Sequence, residues 1–281
     1  MNYRHAFHAG NFADLLKHAI LLGLLQALAG RGRPLRVVDT HAGAGLYDLE
    51  DTPTLKSGEA AAGVLRLIAA GRSDDGPLDA LRAEVAALNG DGVRLYPGSP
   101  VLALRALGPA DQLIACELRA EEAARLGEAV GRIRPARGAQ VLVRAVDGFG
   151  YAAALSSDPS RSTLVLIDPP YEMGDDYDRV IDTTARLLRQ APSPVIAIWA
   201  PVKDLETLDA LLRRLEAIPG LTGYAAQVRL RPLVNPMRMN GCVMIIVGAD
   251  ETRSAAHETA DAVARLWGEA GAQGFARSLQ S

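Results

Sequence analysis

Cysteine is nearly absent: the 281-residue chain holds two, Cys116 and Cys242. Both lie in apolar, strand-like runs. Buried, reduced thiols are expected, which leaves no disulfide scaffold and no cysteine-based zinc site. An excess of either charge is lacking too. Thirty basic residues stand against thirty-three acidic ones, a formal charge of −3, which excludes a uniformly basic nucleic-acid coat. Any nucleic-acid contact has to come from local patches. Long apolar runs are missing as well. The run from Ala19 to Ala29 falls short of the ~18 residues of a membrane span. Met1-Asn2-Tyr3-Arg4-His5 has no apolar signal-peptide region, so a cytoplasmic chain without a membrane partner is expected. No internal repeat or low-complexity tract occurs.

What is present is an apolar content of 49%, enough for one large α/β domain with an insertion or for two small domains. The most informative stretch is Ile167-Asp168-Pro169-Pro170-Tyr171. It follows Thr163-Leu164-Val165-Leu166, which reads as a fully buried strand. Two prolines remove two backbone donors and end the ladder, and Pro169 confines Asp168 to extended conformations. The product is a stiff open loop at the carboxyl end of a strand, where open α/β sheets bind ligands.

That loop suits one reaction. An exocyclic amine conjugated to an aromatic ring is a poor nucleophile, because its lone pair is delocalised. Two acceptors that hold its hydrogens let the nitrogen pyramidalise. The Asp168 carboxylate is one candidate acceptor and the Pro169 carbonyl the other. Tyr171 offers a flat face for a flipped-out base, worth roughly 1–3 kcal/mol. The motif resembles that of S-adenosylmethionine-dependent amino-group methyltransferases, with aspartate in the position typical of the adenine-N6 and cytosine-N4 branch.

Taken in order, the chain begins with an arm rich in aromatic, Arg and His residues, Tyr3, Arg4, His5, Phe7 and His8, a mixture suited to nucleic acid. Without cysteine and without a His pair at i,i+4, no metal site is expected there. A largely buried helix is expected from Phe12 to about Ala29, ended by Gly30 and Gly32, with Lys17 and His18 inside it. A strand, Leu35–Asp39, then enters Thr40-His41-Ala42-Gly43-Ala44-Gly45. No third glycine follows at position 48, so this is no dinucleotide fingerprint, but its length fits an S-adenosylmethionine loop with Gly43 close to the ligand.

The next acid-ended strand, Gln112 to Glu117, comes 72 residues after Gly45. The excess predicts an inserted helical subdomain with helices at Gly58–Ala70 and Pro77–Leu88. The expected division is therefore 1–45 (arm, helix, first strand and cofactor loop), 46–97 (insertion) and 98–281 (remainder of a Rossmann-like domain). Ser99-Pro100 reads as an N-cap followed by a first helical residue. Asp147-Gly148-Phe149 after a third strand suits recognition of a cofactor adenine amine. Trp199-Ala200-Pro201 is expected to close a further strand. The loop Arg231–Gly241 reads as basic and substrate-proximal, and the chain after Ser254 as a helix with an irregular end.

With these features placed, the chain resembles the bacterial 23S ribosomal RNA adenine-N6 methyltransferase family, RlmJ. The resemblance rests on residues 3–11, Ala13-Asp14, Leu16-Lys17-His18, Asp39 to Gly45, Tyr96-Pro97-Gly98-Ser99-Pro100 and Ile167 to Glu172, and spans essentially the whole chain. It implies a Rossmann-like S-adenosylmethionine-dependent fold with a helical insertion. It implies cofactor contacts from His18, His41, Ser99, Glu117, Asp147, Gly148 and Asp168, with Lys17 near the cofactor. It also implies RNA contact at Tyr3, with Arg4 and His5 beside it, and a catalytic Asp168. The expected substrate is 23S rRNA, protein-free or in an early assembly intermediate, and the expected state is a monomer. Ala200 and a final strand without Pro-Pro-Trp depart from the family pattern. Two other readings stay open: a DNA adenine-N6 methyltransferase, and a non-catalytic nucleic-acid-binding protein on a vestigial cofactor fold.

Overall fold

The computed structural model describes residues 8–51, 58–71, 76–90, 92–133, 138–190, 192–232, 239–267 and 270–280. Its first half runs α1 (Phe12–Ala29), β1 (Leu35–Asp39), β2 (Leu46–Asp48), α2 (Glu59–Ala62), α3 (Val64–Ala69), α4 (Asp79–Leu88), β3 (Leu95–Pro97) and α5 (Ser99–Ala106). Then come β4 (Gln112–Cys116), α6 (Ala120–Arg132), β5 (Gln140–Arg144), α7 (Gly148–Ala153) and β6 (Ser162–Ile167). The chain finishes with α8 (Asp176–Leu188), β7 (Val195–Val202), α9 (Leu205–Glu216), β8 (Thr222–Arg229), β9 (Gly241–Val247), α10 (Arg253–Trp267) and β10 (Gln273–Gln280).

Eight strands form one sheet in the order β10-β8-β9-β7-β6-β1-β4-β5. The five strands from β7 to β5 are mutually parallel, whereas β9 runs antiparallel to both β7 and β8. From β1 the chain moves outward one way through β4 and β5, and the other way through β6 and β7. The order thus reverses at β1, and a ligand crevice belongs at the carboxyl ends of β1, β4 and β6. β1 and β6 are buried on both faces, as parallel strands between helices should be. One apolar cluster lies between the sheet and α1, α4, α5 and α10, and a second between the sheet and α7, α8 and α9. This is a Rossmann-like methyltransferase fold with an antiparallel extension.

Asn11 sets the start of α1, its side chain accepting from the Asp14 amide at 3.0 Å. The helix is long and apolar enough to cross a membrane by length and composition, with a mean hydropathy of 1.5, yet 78% of it is buried inside the fold. It is the central helix of the first core.

Several expectations need correction. The helix expected over Gly58–Ala70 is broken at Gly63, where the Val64 amide instead donates to the Gly10 carbonyl at 2.8 Å. The insertion is bracketed by a short antiparallel ladder, β2 with β3, pairing Leu46 with Pro97. Ser99 does not cap its helix: Gly98 occupies that position, and the Ser99 hydroxyl donates to Asp39 Oδ2 at 2.7 Å. β7 does not close at Trp199 but continues through Pro201 to Val202. Its pairing with β6 ends at Ile198, so beyond that point only β9 needs ladder donors. The C-terminal end is not irregular, because β10 pairs with β8 from Gln273 to Gln280.

Candidate active site

A cavity of about 290 Å³ opens at the carboxyl ends of β1, β4 and β6. Lys17, His18, His41, Gly43, Ser99, Glu117, Asp147, Gly148 and Asp168 all line it, brought together from six segments. Pro169 and Tyr171 do not. Pro169 is buried behind the wall, and Pro170 and Glu172 face the cavity instead. Tyr3, Arg4 and His5 lie outside the described residues, as do Arg134, Arg137, Asn235 and Arg238 of the two loops singled out above.

The catalytic candidate sits in a network of charge. Lys17 Nζ donates to Asp168 Oδ2 at 2.6 Å and to Asp14 Oδ1 at 2.9 Å. Lys17 and Asp14 are almost wholly buried, and the Asp168 side chain is 13% exposed. Burial alone would lower the lysine's pKa. The two carboxylates outweigh it and hold the ammonium well above its usual range. Asp14 is fixed in turn, its Oδ2 accepting from the Gly10 amide at 2.9 Å. Asp168 Oδ1 and the Pro169 carbonyl accept no hydrogen bond among the described residues, so both remain available to a ligand.

Tyr171 corrects the expectation of an open stacking face. It adopts φ +52°, rare for a non-glycine residue, and turns its ring into the second core. The ring lies 4.6 Å from that of Tyr177, and its hydroxyl donates to the Trp199 carbonyl at 2.7 Å. Tyr171 therefore latches the catalytic loop to β7. The exposed rings and thioether at the cavity rim belong to Pro170 and Met173.

The rest of the cavity has the chemistry of a nucleoside site. Glu117 accepts from the Gly43 amide at 3.0 Å with Oε2 and from the Arg119 amide at 2.8 Å with Oε1. Burial raises its pKa in spite of these bonds. Gly43 needs its glycine: φ is +59°, and a Cβ there would lie 2.3 Å from the Tyr47 hydroxyl. Gly148 is tighter still, since a Cβ would fall 1.8 Å from the Thr40 carbonyl oxygen. The two glycines let β1, β4 and the start of α7 close around one small space.

Asp147 caps α7 through the Gly150 amide and accepts from Arg179 Nη2 at 2.6 Å. The Arg179 guanidinium also covers the Phe149 ring, 4.4 Å from its centroid. His41 meets the same ring edge-on at 4.8 Å, and burial depresses its pKa to about 4, so it is neutral at pH 7. Asp39 below it is pushed up to about 6, by burial first and by the nearby Asp168 charge. His18 is held through Nδ1, 2.8 Å from the Tyr96 hydroxyl.

Asp14, Tyr96 and Arg179 were not singled out in the sequence. Asp14 left a trace, since Asp-x-x-Lys within an apolar helix marks a charged pair that has to be buried. Arg179 left none, because an arginine on an amphipathic helix is ordinarily a solvated residue.

A reversing parallel sheet, an acid or glycine at the end of each of β1, β4, β5 and β6, and Asp-Pro-Pro at the crevice define a Rossmann-like methyltransferase. Comparison with known proteins narrows the class. The family model described as "Ribosomal RNA large subunit methyltransferase D, RlmJ" matches residues 32–275. Ribosomal RNA large subunit methyltransferase J of Escherichia coli (strain K12) is 36% identical over 220 residues, 77% of this chain and 76% of that protein. Its namesake from Haemophilus influenzae is 32% identical over 251 residues, 88% and 86% of the two chains. Protein LPL1258 of Legionella pneumophila superposes with a TM-score of 0.85 at 26% identity, covering 96% of this chain and 98% of that one. The chain belongs to the RlmJ family of large-subunit ribosomal RNA methyltransferases.

It is accordingly an enzyme, with S-adenosylmethionine as its methyl donor. The residues present fit that group. The Glu117 carboxylate suits ribose hydroxyls, Asp147 suits an adenine amine, and a cradle that admits no Cβ at Gly43 or Gly148 gives the backbone close approach.

Proposed function

We propose that this chain methylates the N6 amino group of one adenine in 23S ribosomal RNA, in the cytoplasm, acting as a monomer on protein-free RNA or an early assembly intermediate. The observation that carries the reading is the Asp168-Pro169 pair of acceptors, fixed at the cavity mouth by Lys17 on one side and by Tyr171 on the other.

Bound in the cavity, S-adenosylmethionine supplies a methyl group activated on a sulfonium. The chain's own residues do the remaining work. Asp168 Oδ1 and the Pro169 carbonyl each accept one hydrogen of the adenine amine, turning its lone pair toward the cavity. Lys17 occupies Oδ2 and so fixes which carboxylate oxygen meets the substrate. A carboxylic acid titrates near ~4, too acidic to deprotonate neutral adenine beforehand. Asp168 therefore orients the amine and takes the proton during or after transfer, and positioning supplies most of the rate. Pro170 and Met173 form an apolar ledge for the extruded base, the part first expected of Tyr171. Tyr3, Arg4 and His5, which precede the Gly10 turn, would meet the RNA around it.

The test is methyl transfer from radiolabelled S-adenosylmethionine to protein-free ribosomal RNA from cells lacking this protein, with duplex DNA alongside. Label recovered as N6-methyladenosine in large-subunit RNA is the expected result. Label in DNA alone would replace the substrate, and label on another atom would replace the acceptor chemistry.

A further inference from the structure

At the opposite edge of the sheet, where β1, β6 and β7 begin, a second, smaller cavity of about 40 Å³ is lined by four arginines, Arg31, Arg33, Arg36 and Arg161, against a single carboxylate, Asp158. The chain as a whole carries −3. A formal +3 around so small a space is thus a local feature. Three of these cations are steered by neutral partners. Arg33 donates to the Pro159 carbonyl, Arg36 to the Ser156 carbonyl and the Thr163 hydroxyl, and Arg161 to the Ala110 carbonyl at 2.8 Å. Arg161 reaches Asp158 only at 3.6 Å, and Arg31 is drawn outward to Glu251.

Beneath them, Ser162 opens β6. It is 5% exposed, lines the cavity, and its hydroxyl has no partner. A buried hydroxyl without a partner is costly, by about 1–3 kcal/mol, unless a ligand or water supplies the bond. Crowding of like charge points the same way: burial, followed by the neighbouring Arg161 guanidinium, lowers the affinity of Arg36 for its proton in spite of Asp158. Guanidinium forks, a buried donor and excess positive charge suit a tetrahedral oxyanion.

We propose that this cavity binds a phosphate of the RNA backbone, as a second contact remote from the methylated adenine. The inference rests on the RNA substrate proposed above. β6 spans six residues between the two openings, roughly 20 Å at ~3.3 Å per residue. The cavities open at opposite edges of the sheet, so only an RNA that wraps around the domain reaches both. A short stem–loop centred on the adenine fills the first cavity alone.

The experiment compares two RNAs, a fragment of about 100 nucleotides and one of about 20 around the modified adenine, on the unmodified chain, on Arg33→Gln/Arg161→Gln and on Ser162→Ala. The double variant should bind the long fragment about tenfold more weakly. Its logarithmic salt slope should be shallower by ~1.4, for two lost contacts at ~0.7 each. Ser162→Ala, which removes one buried oxygen and leaves the surface alone, should weaken the long fragment about threefold. Turnover on the short RNA should be unchanged in both. Long-fragment affinity and slope equal to those of the unmodified chain would overturn the proposal. So would inorganic phosphate raising the melting temperature of the unmodified chain and not of the double variant, with RNA affinity unaffected; the cavity would then hold free phosphate. Failure of the unmodified chain to turn over the short RNA would count against the proposed substrate, and the long-fragment affinity reads the arginine cavity separately.

Discussion

Two aspartate–cation pairs frame the active-site cavity, each with its nitrogen 2.6 Å from oxygen. Asp168 and Lys17 are 13% and 5% exposed, whereas Asp147 and Arg179 are 42% and 35% exposed. Equal distance does not make them equal interactions. Water and salt screen the second pair, and exposed pairs contribute ~0–1 kcal/mol. The first pair has little solvent to fall back on, and its lysine also answers Asp14. Breaking a buried pair from one side costs about 3–5 kcal/mol, because a charge is left stranded. The buried pair therefore couples folding to chemistry, while the exposed pair can adjust to a ligand without unsettling the fold.

The largest expected effect comes from Asp168→Ala. Turnover should fall at least ~1000-fold with S-adenosylmethionine binding still measurable by calorimetry, since positioning and proton acceptance are lost together. Full activity in that variant would end the proposed mechanism. Lys17→Met should come next, with stability lower by about 3–5 kcal/mol in urea unfolding, because Asp14 and Asp168 would face each other unpaired. An unchanged midpoint would mean the two pairs are energetically alike and the comparison fails. Arg179→Ala should change stability by under ~1 kcal/mol and weaken cofactor binding several-fold. Raising salt should reproduce the cofactor effect in the unmodified chain and spare the lysine pair.

The smallest effect is in the pH dependence. Asp39, raised to about 6, favours the fold below the ordinary carboxylate range near ~4, and that preference is lost as pH rises through 6. His41, depressed to about 4, favours the fold above ~6.5, and its contribution is lost as pH falls toward 4. The two oppose each other between pH 4 and 6. Asp39→Asn should therefore make stability climb more steeply with pH across that window than in the unmodified chain. Parallel slopes would show that Asp39 titrates at its ordinary value.

Much of this frame was legible in the residue order. An apolar run stopped by two prolines can hardly be anything but a buried strand ending in a stiff loop, and β6 and Asp168 stand where that reading puts them. α1 and β1 were equally plain, with an Asn cap and a dense apolar pattern. Less legible was whatever depends on distant partners. β10 is held by its ladder with β8, and its Gly274, Ala276 and Ser278 carry no strand signal of their own. Ser99 has the residue type of a cap, but a buried carboxylate outbid the helix for its hydroxyl. Tyr171 looked like a platform because local sequence cannot tell which way a ring turns, and that is decided by Tyr177 and Trp199. Arg179 acquires meaning only once α8 is laid over Phe149.

Lys17 and Asp168 are 151 residues apart in sequence. At a synthesis rate of ~5–20 residues per second, roughly 10–30 s pass on the ribosome between the appearance of the ammonium and that of its carboxylate. Through that interval α1, apolar around most of its circumference, is waiting for the sheet that will cover it. Asp14, three positions away on the same helix, is already there to answer the charge. The neighbouring acid thus serves the nascent chain as well as the finished enzyme, keeping the lysine compensated until β6 arrives.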